Sequence, residues 1–204
     1  IRLLPLLPDT KPDLDSLAAN LSAARLEPGI QLEVIESASA LQLDSIHEAQ
    51  ANLAKQGPLA KWTYALAGGN TDAGKKVFNE NLSANCTACH RIGVEGSNVG
   101  PPLTQVGKQG AEHILESLVA PQAKIATGFG TMTLTKTDGS MLAGSLIEED
   151  DKQLLLFQAD GSEVQVPLSV IASRTPSIST MPPMGDILKP AELRDLVAFL
   201  PSLR

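Results

Sequence analysis

The pentapeptide Cys86-Thr87-Ala88-Cys89-His90 constrains this chain more than any other feature, and it holds the only two cysteines in 204 residues. Its spacing is the attachment signature of a c-type haem. Two thiols add across the two vinyl groups of one porphyrin. The two residues between them let a single helical turn present both sulfurs to one edge of the ring. His90 follows directly, and its imidazole is the proximal ligand to the iron. A Cys-x-x-Cys pair also serves as a disulfide, a thioredoxin-like redox couple or half of a zinc site. Zinc needs two more ligands, yet there is no third cysteine, and His47 and His113 lie at no zinc-like spacing. A thioredoxin-like couple needs a βαβ context, which the sequence lacks.

Composition narrows the function classes. Apolar residues make up 43% and charged residues 19%, which excludes a disordered tail, a collagen-like rod and a coiled coil. Acidic residues number 23 and basic residues 16, a net charge of −7, so non-specific binding to nucleic acid or anionic lipid is not expected. Aromatics are only 3%, too few for a base-stacking platform. No run spans a bilayer: Leu3–Pro8, the longest uncharged run near the start, is far below the roughly 20 residues required. It is also too short and proline-rich for a signal-peptide core. Beginning at Ile1, the sequence reads as a mature chain or a fragment whose targeting segment is missing. Covalent haem attachment takes place outside the cytoplasm, so the expected compartment is the periplasm or an equivalent exported space.

Four further motifs flank the pentapeptide. Asp72–Phe78 reads as a short amphipathic helix, and Gly100-Pro101-Pro102-Leu103 follows the pentapeptide downstream. Near the C-terminus come Ser179-Thr180-Met181-Pro182-Pro183-Met184-Gly185 and a helical stretch over 190–200. In this order they resemble the class I cytochrome c fold, over residues 70–127 and 176–204. The resemblance implies that the first and last helices cross where Gly74 or Phe78 meets Phe199. It implies that the Pro101 carbonyl bonds His90, and that Cys86, Cys89, His90, Pro101, Leu103 and Met181 bind the cofactor, one haem c. His90 and Met181 would be the two iron ligands, with Met184 as the alternative sixth ligand. Elementary chemistry agrees. A ligating imidazole donates its other N–H to an acceptor, a proline carbonyl on a rigid loop is a good one, and methionine sulfur favours ferrous iron. Met132 and Met141 lie in strand-like stretches and read as packing residues. His113 and His47 read as surface or capping residues on helices.

Residues 128–175 form an insert that reads as β. Strands are expected over 131–137, 141–147, 153–158 and 162–166, with hairpin signals at Asp138-Gly139 and Asp160-Gly161. Residues 1–69 read as short helices over 14–25, 30–37, 44–55 and 59–66, punctuated by Pro28-Gly29 and Gly57-Pro58. Trp62 and Tyr64 are expected to pack this repeat-like layer onto the haem domain. The expected whole is therefore mainly α: a cytochrome c helical fold with an inserted antiparallel β subdomain and an N-terminal helical segment. This three-part order is similar to the haem-binding C-terminal region of large exported proteins of planctomycetes and verrucomicrobia. That resemblance implies an electron-accepting module for a dehydrogenase, and the expected function is an electron carrier rather than an enzyme, alone or as a module of a larger dehydrogenase, passing single electrons from a periplasmic dehydrogenase or other donor to an acceptor. The net −7 favours a basic partner patch, and the sheet edges favour a homodimer through the insert. A five-coordinate haem sensor or peroxidase-like enzyme is the alternative.

Overall fold

A computed structural model describes residues 11–41 and 43–204; the Leu3–Pro8 run lies outside the described residues. Three helices come first: α1 (Lys11–Ser22), α2 (Pro28–Leu41) and α3 (Asp44–Ala54), followed by a 3-10 segment over Ala60–Leu66. Leu21, Val34, Ile46, Ala49 and Leu53 form a small core of their own. Helix α2 is apolar on two sides, so it bridges layers. Val34 faces that small core, while Leu32 and Ile35 join the main one. The buried Gln31 is satisfied at both ends of its amide: Nε2 donates to Leu26 O at 2.6 Å, and Oε1 accepts from Thr63 Oγ1 at 3.1 Å. Tyr64 and Ala65 are buried in the main core, and Trp62 packs against it, as the sequence leads one to expect.

The main core is built on α4 (Thr71–Glu80), α5 (Ala111–Val119) and α6 (Pro190–Phe199). The Asn70 side chain caps α4 by accepting from Ala73 N at 2.9 Å. Pro190 opens α6 at a position where a missing N–H costs nothing. Helices α4 and α6 cross where Gly74 lets two backbones touch: a β-carbon there would overlap the Asp195 carbonyl oxygen. Beside the crossing, the Phe78 and Phe199 rings sit 6.1 Å apart at 54°, a favourable tilted pair. Asn70 N donates to Asp195 Oδ1 at 2.9 Å, and Asn81 Nδ2 to Glu192 Oε1 at 3.3 Å, tying both ends of the pair. A two-stranded ribbon, β1 (Arg91–Ile92) with β2 (Glu95–Gly96), follows the pentapeptide.

The insert is a sheet of β3 (Gly130–Lys136), β4 (Met141–Glu149), β5 (Gln153–Phe157), β6 (Glu163–Pro167) and β7 (Ile171–Arg174), with β8 (Ile178–Ser179) also on β3. The order is β6-β5-β4-β3-β7, antiparallel throughout. Flat, that order would separate β6 from β7 by about 19 Å. The link from Pro167 to Ile171 reaches at most about 14 Å, so the sheet is rolled. Met132, Leu134, Leu154, Leu156 and Val166 fill the roll. Asp138, Asp150 and Asp160 close its turns. Asp138 Oδ1 accepts from Ser140 N at 2.8 Å, and Asp160 Oδ1 from Ser162 N at 2.9 Å. The Ser140 and Ser162 hydroxyls, together with these N–H groups, hold the Asp138 and Asp160 carboxyls below their ordinary range, and the Lys152 and Gln153 N–H groups do the same for Asp150.

The expectation of a mainly α chain is corrected by this sheet: the protein is mixed helix and strand. Beyond the four expected strands, β7 and β8 add to it. Segments of 4 and 2 residues carry no readable alternation; they become strands because β3 offers them a free edge. Among the described residues no helix is long and apolar enough to cross a membrane.

Candidate functional site

The pentapeptide begins as a 3-10 turn over Cys86–Ala88, reached through Asn85 in the left-handed region at φ 43° and ψ 47°. Asparagine tolerates that region better than most residues. Cys89 N and His90 N both donate to the Cys86 carbonyl, at 3.1 and 2.8 Å. One turn of chain thus carries both thiols and the imidazole. Cys86 is half-buried and Cys89 exposed, and no disulfide joins them. Burial pushes the Cys86 thiol up, opposed by a backbone hydrogen bond and reinforced by Cys89. A redox-active couple needs the opposite shift, which counts against the thioredoxin-like reading.

The loop after the pentapeptide folds back onto it. Gly100 N donates to Cys89 O at 2.7 Å, Ser97 N to His90 O at 3.3 Å and Leu103 N to Arg91 O at 2.8 Å. This places Pro101 O 2.8 Å from His90 Nδ1. A carbonyl oxygen only accepts, so Nδ1 carries the proton and Nε2 keeps its lone pair. Gly100 lies against the imidazole: a β-carbon there would stand 2.7 Å from Cε1 and 2.9 Å from Nδ1. Only glycine leaves the ring its place.

The two C-terminal methionines occupy different environments. Met184 is 4% exposed and belongs to the main core. Gly185 beside it lies under the Trp62 ring, so the N-terminal layer clamps this turn. Met181 is half-buried at the margin of the same core, as are Cys86, Ile92, Leu103 and Val106. Met132 is buried in the rolled sheet and Met141 is 70% exposed on it. His113 is half-buried on α5, and His47 is exposed on α3. Sequence reasoning missed Gln122, whose amide holds the backbone of Ser179 two residues before Met181. No local signal marks it, because its partners are 57 residues away.

These residues fit a c-type haem. The apolar margin is incompletely covered by protein, and the imidazole is oriented with a free nitrogen. Arg91 Nε, on the residue after His90, is the buried side-chain atom without a partner among the described residues. An anionic group beside the pentapeptide would supply it with an acceptor. A family model described as Cytochrome c matches residues 71–157, from the start of α4 through the pentapeptide and α5 to the end of β5. No curated protein matches the chain.

Proposed function

Because this chain carries a c-type cytochrome domain, we propose that it is a monohaem electron carrier, with Cys86 and Cys89 as the attachment residues and His90 and Met181 as the iron ligands. The observation that carries the reading is the 2.8 Å contact of His90 Nδ1 with the Pro101 carbonyl. It is the hydrogen bond a ligating histidine needs to hold its tautomer and ring plane. The bound group supplies a one-electron couple. The protein's residues tune and present it. Met181 is favoured over Met184 because the Met184 thioether is committed to core packing. A neutral thioether and a neutral imidazole as ligands would favour the ferrous state. Leu103, partly buried at the open apolar margin, would add apolar surface to the cofactor's surroundings. Exposed Cys89 leaves the attached edge open to a partner.

The attachment chemistry supports the periplasm or another exported space as the compartment. The resemblance to exported haem-binding regions supports a dehydrogenase as donor, and the net −7 supports a basic docking patch on the partner. Visible spectra of the exported protein, oxidised and reduced, test the reading together with Met181→Ala and Met184→Ala. The weak red band of methionine–iron bonding is expected in the unmodified protein and in Met184→Ala, and absent in Met181→Ala. The reverse pattern would move the ligand to Met184. Carbon monoxide binding by the reduced unmodified protein would favour a five-coordinate site. A colourless sample with two alkylatable thiols would end the haem reading.

A further inference from the structure

Met181 lies between β8 and the 3-10 turn Met184–Asp186, in a stretch with no helix or ladder of its own. Its backbone is nevertheless tied at one point, Ser179. Ser179 is the register partner of Gly130 on β3. The Gln122 amide takes both backbone groups of Ser179: Nε2 donates to its carbonyl at 2.9 Å, and Oε1 accepts its N–H at 2.9 Å. A single side chain thus pairs with Ser179 as a neighbouring strand residue would. Ser179 Oγ then accepts Met181 N–H at 3.2 Å. Gln122 follows the buried Pro121, whose fixed φ anchors the point from which the amide reaches out.

We propose that Gln122 is a positioning residue for Met181. Acting with β3 through Ser179, it holds the methionine-bearing segment and sets how readily the sixth iron position opens. This rests on Met181 being an iron ligand. A segment held in place before binding loses less conformational freedom when its sulfur engages, so releasing it weakens the hold on the iron.

The test uses the haem-loaded full chain and the variants Gln122→Ala, Ser179→Ala and their double, with Lys124→Ala as a nearby exposed control. Amide hydrogen exchange at Ser179 and Met181 reads the segment. Titration of the oxidised protein with imidazole, which competes for the sixth position, reads the ligand. Gln122→Ala is expected to speed exchange at Ser179 about tenfold and to tighten imidazole binding about tenfold, equivalent to about 1.4 kcal/mol. The double variant should fall short of the product of the single effects, because both act through one segment. Exchange and imidazole affinity in Gln122→Ala matching those of Lys124→Ala would overturn the proposal. Faster Ser179 exchange in a protein whose unmodified form has no methionine band would instead overturn Met181 as ligand, and Gln122's role toward the iron with it.

Discussion

Replacing Gly74 by alanine tests the helix crossing on which the candidate site is mounted. In an open helix this change stabilises by up to about 1 kcal/mol, because alanine is the better helix former. At Gly74 the new β-carbon would overlap the Asp195 carbonyl oxygen and stand 2.7 Å from Phe199 Cβ. Carbon atoms rest about 3.5–4.0 Å apart, so α4 and α6 must separate by roughly 1 Å. The obstruction is backbone and cannot rotate aside, and the separation also loosens the Phe78–Phe199 contact. Overpacking of this kind costs about 1–3 kcal/mol. Taking the upper end and subtracting the propensity gain leaves a net loss of about 2 kcal/mol. For a chain of this size that lowers Tm by about 4–8 °C. Gly29 in α2 is an internal control, since a β-carbon there meets nothing within 4 Å; Gly29→Ala should leave Tm unchanged or raise it. Thermal unfolding of the haem-loaded proteins, followed by circular dichroism at several scan rates, measures both. A Gly74→Ala protein that melts at or above the unmodified temperature would refute the close-crossing argument.

Gly100→Ala should push the His90 ring off Pro101 and lower haem incorporation on export, read as the ratio of haem absorbance to protein; full incorporation with an unchanged spectrum would count against the glycine's role. Met184→Ala removes a 4%-exposed core side chain and should cost about 2–5 kcal/mol, whereas Met181→Ala at the margin should cost less in the haem-free chain; urea midpoints of the haem-free variants in the opposite order would refute this. Burial, reinforced by Glu36, raises the Tyr64 phenol well above its ordinary value of about 10. The unfolded chain then loses the proton first as pH climbs. This contribution to stability is full below about pH 10 and is lost as pH rises above it. Tyr64→Phe should flatten that alkaline decline in urea midpoints, and an unaltered slope would show that Tyr64 is not its source.

Much of the framework was legible because its signals are local. Cys86, Cys89 and His90 share one turn of chain, so their spacing alone places two thiols and an imidazole side by side. Asp138-Gly139 and Asp160-Gly161 mark hairpins because each aspartate bonds a serine two residues on. Pro28-Gly29 opens α2 and Gly57-Pro58 follows α3, because proline is accepted in the first turn of a helix and not in its interior. Strands β7 and β8 were not legible for the complementary reason. Strands β7 and β8 exist through pairing with β3, 35 or more residues away, and no short segment advertises a distant partner.

The amino-acid sequence by itself determined that two thiols and an imidazole stand together and that helices and a β insert surround them, since helical turns, tight turns and alternating strands are decided within a few residues. Only the tertiary structure decided which of two methionines three residues apart is spent on the core, and that Gln122 grips the segment before Met181. Those choices depend on which groups the fold brings within hydrogen-bonding or packing distance. Over the 57 residues between Gln122 and Ser179, chain spacing carries no such information.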